Sequence, residues 1–240
     1  MLLGALLVAA GFGIFSWFSK RSATDTASVE ASSLSAETGT QKNAAAPAVP
    51  LSQETALFKT FLSSQSDEHS VVYEIKSGDN LANIAKKHGV TVDLIKKVNG
   101  LEKDTIYPGK KLKIPTYKIS LIVDKSQNVL ILKGDEEVLK TYVVSTGLNN
   151  STPVGVFKVT DKLLNPTWYK TGAVVPPDSP ENVLGTRWMG INEKGYGIHG
   201  TTEPDKLGQQ VTAGCVRMRN DEVEELYSLV PSGTEVTIVD

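Results

Sequence analysis

Cys215 is the only cysteine in a chain of 240 residues, and it stands in Thr212-Ala213-Gly214-Cys215-Val216-Arg217-Met218, downstream of Gly197-Ile198-His199-Gly200-Thr201. An ionised thiol is the strongest side-chain nucleophile near neutral pH, and an imidazole within reach can take its proton and hold the thiolate as an ion pair. His199 is the only histidine after residue 88, so the C-terminal half offers no other imidazole base. A lone cysteine also serves as a small buried hydrophobe, and a lone histidine as a structural residue. The neighbours favour chemistry. Gly214 and Gly200 permit close approach of the backbone to a substrate, and Arg217 shares the thiol's face of an extended segment, where it can meet a carboxylate or support thiolate charge. Zinc is the rival for these residue types. One Cys and one His would need Glu203 or Asp205 to complete a ligand set, so neither metal nor cofactor is expected.

The surrounding sequence predicts a mostly β domain to position them. Ile119, Leu121 and Val123 alternate with Lys118, Ser120 and Ile122 as a half-buried strand does. Val129 to Leu132, Val138 to Val144, Val154 to Val159 and Glu235 to Val239 read as further strands, with a Gly134-Asp135 turn. One helix fits Asp221 to Val230, with Asn220 as its cap. Residues 163–190, rich in Pro and aromatics, carry no clean period and read as a flap over a cleft, with Trp168, Tyr169, Trp188 and Met189 as cleft or packing residues.

From about Tyr117 to the C-terminus the chain resembles an L,D-transpeptidase catalytic domain of the YkuD type. The matching pieces occur in the family's order: Ser145-Thr146-Gly147, Thr152-Pro153-Val154-Gly155-Val156-Phe157, Asn165-Pro166-Thr167-Trp168-Tyr169, and the two segments around His199 and Cys215. Many members carry Ser-His-Gly-Cys where this chain has Thr212-Ala213-Gly214-Cys215, which removes one polar contact near the acceptor side. The resemblance implies a β-sandwich and a cysteine acyltransferase. Cys215 attacks the carbonyl of the third residue of a peptidoglycan stem tetrapeptide and expels D-alanine, and the thioester passes to an amine acceptor or to water. His199 is the base, oriented by the Gly200 carbonyl. Thr212, Ala213, Gly214, Arg217, Trp188 and Tyr196 are assigned to the oxyanion hole and substrate contacts, with the amides of Ala213, Gly214 and Cys215 as oxyanion donors.

Upstream, Val72 to Leu81 reads as a strand broken by Ser77-Gly78-Asp79, with Asp79 or Asn80 capping a helix. Leu81, Ile84 and Ala85, then Leu94, Ile95 and Val98, recur at helical spacing, Gly89 and Gly100 stop the two helices, and Lys111 to Ile114 reads as a partner strand. This βααβ pattern over 71–115 resembles a LysM module. The resemblance implies binding of N-acetylglucosamine-containing glycans between Gly78, Asp79, Asn80 and Leu81 on one side and Ile106, Tyr107 and Pro108 on the other. The module carries nine lysines against five acidic residues from Val72 to Pro115, in a chain of net charge -2. That local excess favours retention on anionic wall polymers, and no nucleic-acid partner is expected.

Leu2 to Phe18 carries no charge and would span about 25 Å as a helix. Residues 1–21 are expected to be a membrane signal anchor, although Lys20 and Arg21 oppose the topology that two wall-directed domains require. Residues 22–70, rich in Ala, Ser and Thr over their first part, are expected to form a disordered linker. Within it, Leu57, Phe58, Phe61 and Leu62 have the spacing of one short amphipathic helix that docks on a folded domain. The expected setting is the bacterial cell envelope, with both domains outside the cytoplasm and peptidoglycan as partner. The oligomeric state stays open, as does a rival reading in which the catalytic domain is inert and the protein acts by wall binding alone.

Overall fold

The structure, a computed structural model, describes residues 52–177 and 179–240. The anchor expected at 1–21 and the first part of the linker lie outside the described residues. No helix among the described residues is long and apolar enough to cross a membrane.

The linker expectation is corrected over residues 52–70. Gln53–Glu54 (β1) pairs antiparallel with a strand of the large sheet, and Ala56–Leu62 (α1) is helical, capped by Thr55, whose hydroxyl accepts from Phe58 N at 3.1 Å. The physical reason is apolar content. Phe58 and Phe61 are each 1 % exposed, and burying an aromatic of this kind stabilises by about 1.5–3 kcal/mol, enough to order a short segment.

The βααβ unit follows as Ser70–Glu74 (β2), Leu81–His88 (α2), Val92–Asn99 (α3) and Lys111–Pro115 (β3). Asn80 rather than Asp79 caps α2, accepting from Asn83 N at 2.8 Å, and Thr91 caps α3. Gly89 and Gly100 end the two helices in the left-handed conformation, where a Cβ is costly. β2 and β3 pair antiparallel, and Leu81, Ile84, Leu94, Ile95, Val98, Leu112 and Ile114 form the core.

The larger domain contains Ile119–Asp124 (β4), Val129–Gly134 (β5), Glu137–Val143 (β6), Thr146–Gly147 (β7), Gly155–Leu164 (β8), Trp168–Lys170 (β9), Ala173–Val175 (β10), Arg187–Ile191 (β11), Gly197–His199 (β12), Gln210–Thr212 (β13), Val216–Arg217 (β14), Asn220–Leu229 (α4) and Glu235–Val239 (β15). Among the described residues, nine strands form one sheet in the order β1-β6-β5-β4-β15-β8-β11-β12-β14. Inward Leu121, Val123, Leu130, Leu132, Val236 and Ile238 are almost fully buried, as their alternation predicts.

A mainly β domain is thus present, but its layers are continuous. β8 pairs with β15 through Gly155–Lys158 and with β11 through Val159–Leu164, so one long strand serves both halves and the sheet curls there. Two small pairs, β9–β10 and β7–β13, lie outside this sheet.

Contacts through α1, Lys113 and Thr91 seat the βααβ unit on the larger domain. α1 fills the angle between them: Lys140 Nζ sits 5.1 Å over the Phe58 ring, and Phe61 meets Tyr117 edge-on at 5.6 Å. Buried Lys113 reaches from β3 to Ser63 O at 3.1 Å and Asp67 Oδ2 at 3.3 Å. The Thr91 hydroxyl, at the start of α3, donates to Ser228 O near the end of α4.

Candidate active site

β12 and β14 run parallel, with Ile198 opposite Val216 and His199 opposite Arg217. Ile198 and Val216 point into the core at 1 % and 2 % exposure. By alternation, His199 and Arg217 share the opposite face, and Cys215 stands one residue before β14. β11 flanks β12 on its other side and sets Trp188 opposite His199. His199 is thus carried on β12, and Cys215 stands on the loop that leads into the neighbouring strand β14.

His199 is buried. Its Nδ1 lies 2.7 Å from the Gly200 carbonyl oxygen, so Nδ1 carries the proton in a neutral ring and Nε2 is left as the basic nitrogen. The ring stacks on Trp188, centroids 5.8 Å apart. Burial lowers its pKa to about 4 and Arg217 adds to the lowering, while the carbonyls of Gly200 and Leu184 pull the other way. The imidazole is thus neutral at pH 7, as a general base must be.

Cys215 is half-buried, and its thiol donates to Gly195 O at 3.5 Å. Burial pushes the thiol pKa up, opposed by a hydrogen bond from the Gly197 backbone and by Arg217. Burial thus opposes charge on both the thiol and the imidazole, against the ion pair that the residue types alone suggest.

The loop before Cys215 is a tight knot. Thr212 Oγ1 accepts from Gly214 N at 3.1 Å and donates to Cys215 O at 2.6 Å. The Gly214 amide expected as an oxyanion donor is thus already committed, and Thr212 acts as a staple rather than a substrate contact. Gly214 has φ +128°, and a Cβ there would lie 2.5 Å from the Tyr196 ring. Tyr196, expected among the substrate contacts, instead props this loop from the side facing Thr152, Ile191 and Val236. Ala213 is exposed at the tip.

Arg217 is 8 % exposed, and its Nη1 donates to Glu203 Oε2 at 3.0 Å. Its backbone exchanges both hydrogen bonds with Ser145, at 2.8 and 2.9 Å, which ties the Ser145-Thr146-Gly147 motif to the Cys215 strand. Glu203, a candidate metal ligand from sequence, is occupied by Arg217 and by Lys206 at 2.6 Å.

Beside Cys215 opens a cavity of ≈ 300 Å³ lined by Leu163, Pro166, Thr167, Trp168, Tyr169, Leu184, Trp188 and Gly195. Trp168, Tyr169 and Trp188 belong to it, whereas Met189 is fully buried in the core. The flap expected at 163–190 contains the β9–β10 hairpin. Its base is pinned by buried Asn182, whose Nδ2 donates to Pro166 O at 2.9 Å and Pro176 O at 3.1 Å. Asp161 accepts from Trp188 Nε1 at 2.9 Å and fixes the indole. Sequence reading missed both residues, because their partners lie many positions away.

In the βααβ unit the two expected glycan-binding loops meet. Ile75 donates to Lys110 O at 2.9 Å and accepts from Gly109 N at 2.8 Å. Gly78, Tyr107 and Pro108 are exposed there. The others build the module: Leu81 is core, Ile106 packs against it, Asn80 caps α2, and Asp79 accepts from Tyr73 Oη at 2.9 Å and Lys76 N at 2.7 Å.

Residues 118–238 match the family model for the L,D-transpeptidase catalytic domain (YkuD), and residues 73–115 match that for the LysM domain. The chain is 43 % identical over 126 residues to a Bacillus subtilis protein named as the L,D-transpeptidase YqjB, covering 50 % of this chain and 70 % of that one. It is 30 % identical over 175 residues to YkuD of the same organism, also named as an L,D-transpeptidase, covering 70 % of this chain and 98 % of the relative. A solved L,D-transpeptidase from Mycobacterium smegmatis aligns with 55 % of this chain and 64 % of its own at 21 % identity and a TM-score of 0.43. With a catalytic-domain match that spans half its length and a relative covered almost end to end, the chain belongs to the YkuD family of L,D-transpeptidases and carries a LysM domain before the catalytic one.

Proposed function

We propose that this protein is a peptidoglycan L,D-transpeptidase that uses Cys215 as nucleophile and His199 as base. The observation that carries the reading is a cavity lined by both Cys215 and Trp188, the latter with its ring stacked on His199. In the first half-reaction Sγ attacks the carbonyl of stem residue three as His199 Nε2 takes the thiol proton. The amide C–N bond then breaks, and that proton leaves on the amine of D-alanine. In the second, an amine acceptor attacks the thioester carbonyl, the C–S bond breaks, and the thiol is restored. Water in place of the amine gives trimming instead of a cross-link.

The oxyanion falls to the amides of Cys215 and Ala213, which stand outside the Thr212–Gly214 hydrogen bond. Loss of one such donor typically costs about 3 kcal/mol of transition-state stabilisation. Arg217, fixed by Glu203, contributes positive charge to the thiolate as it forms. The LysM module holds glycan through the surface at Gly78, Tyr107 and Pro108, outside the cytoplasm, with residues 1–21 as the membrane anchor.

The test is mass spectrometry of the full chain with a defined tetrapeptide muropeptide and, separately, with a carbapenem. Release of D-alanine and a covalent adduct on Cys215, both abolished by Cys215→Ser, are expected. A folded protein that gives neither would leave wall binding as its whole activity.

A further inference from the structure

Asn220 opens α4, yet its side chain does not cap that helix. Its Oδ1 accepts from Thr201 N at 3.1 Å and from Thr186 N at 3.3 Å, and its Nδ2 donates to Thr201 O at 2.9 Å. The Thr201 N–H and the Gly200 C=O belong to the same planar trans peptide unit, in which the two groups point in opposite directions. The oxygen of that unit is the one 2.7 Å from His199 Nδ1. Asn220 thus grips from behind the peptide plane whose front orients the imidazole.

The glycines around it confirm how close the grip is. A Cβ on Gly200 would lie 2.1 Å from Asn220 Oδ1, and one on Gly185 would lie 2.2 Å from it. Gly200 therefore makes room for an amide of the protein itself, not for substrate. The mount is rigid: α4 buries Val223, Leu226 and Leu229, and Lys162 Nζ pins its far end through Tyr227 O at 2.6 Å and Val230 O at 2.7 Å.

We propose that Asn220 is a positioning residue for acyl transfer, fixing the Gly200–Thr201 peptide plane so that His199 keeps its proton on Nδ1 and offers Nε2 to the thiol. The proposal rests on the reading of His199 as the base. Without the grip that plane can rotate, the carbonyl leaves Nδ1, and the tautomer protonated on Nε2, which cannot accept the thiol proton, competes.

The full chain with Asn220→Ala and Asn220→Asp decides it, read by kcat and KM for D-alanine release and by the ¹⁵N shifts of the His199 ring, assigned with His199→Gln. Asn220→Ala is expected to lower kcat by roughly 10- to 100-fold with KM little changed, and to shift the ring away from the Nδ1–H pattern. Asn220→Asp keeps the acceptor for Thr201 N–H but sets an oxygen against Thr201 O, so an intermediate kcat with the tautomer retained is expected. The proposal is overturned if folded Asn220→Ala keeps a wild-type kcat, or loses it with the tautomer unchanged. If Asn220→Ala does not fold, Asn220→Asp decides, since loss of its Nδ1–H tautomer would overturn the proposal. A wild-type protein that neither releases D-alanine nor forms a Cys215 adduct would sink the catalytic reading instead, and the tautomer measurement would still report on the grip.

Discussion

Trp188 and His199 face each other across antiparallel β11 and β12, ring planes 20° from parallel and centroids 5.8 Å apart. The indole, held by Asp161, covers one face of the imidazole, and burial is the main cause of the low His199 pKa.

Trp188→Leu should therefore raise the His199 pKa from about 4 toward its ordinary 6.5. The fraction of neutral base at pH 5–6 falls, and the acid limb of the kcat/KM profile moves to higher pH. An NMR titration of the imidazole C–H together with that profile checks this. An unmoved acid limb would assign the low pKa to another cause.

The same group links stability to pH. Its pKa is about 4 in the folded chain against 6.5 when exposed, so between these values the unfolded chain binds the extra proton. Stability is complete above pH 6.5 and declines as pH falls through 4, by on the order of 3 kcal/mol from this residue. Denaturant midpoints measured from pH 7 to pH 4 should show the decline, and His199→Gln should flatten it.

Thiol reactivity should rise late. Because burial holds the Cys215 thiol above its ordinary range, alkylation by iodoacetamide in the free protein should climb from neutral into alkaline pH, without the plateau from pH 4 that a preformed thiolate–imidazolium pair gives. A stopped-flow profile showing that plateau would restore the ion pair.

Gly214→Ala should disable the loop. It combines a φ of +128° with a clash against the Tyr196 ring, at a cost of about 1–3 kcal/mol. Loss of Cys215 adduct formation in a protein that still folds is the expected result.

Phe58→Ala should destabilise by about 3–5 kcal/mol, as removal of a fully buried aromatic does. Urea denaturation of the full chain measures it. A change under 1 kcal/mol, on the order of a surface substitution, would mean that α1 contributes no core.

Elements with long periods were legible in the sequence. The alternation of Ile119, Leu121 and Val123 gives β4, and the helical spacing of Leu57, Phe58, Phe61 and Leu62 gives α1. β12 to β14 were not legible, because strands of two or three residues are too short for alternation, and β11 was not because Met189-Gly190-Ile191 is buried throughout. Cys215 and His199 could be named from residue type and neighbours, but the supports of the site could not. Asn220 reads as a helix cap because Asn before a helical run usually is one; its true partners, Thr186 and Thr201, lie 34 and 19 residues away in sequence. Asp161 and Asn182 escaped notice for a similar reason: the role of each is defined by a hydrogen-bond partner that only the folded chain supplies.

The wedge of α1 between the two domains, with the Thr91 hydroxyl bonded to the end of α4, fixes the interval between the loops at Gly78 and Tyr107 and the Cys215 thiol. On the proposed function, a wall strand gripped at Tyr107 would deliver only those stem peptides that hang at the matching interval along it. On that reading the molecule would work as a caliper, and a graft that lengthens the join at residues 115–117 would change which peptide it picks rather than how fast it reacts.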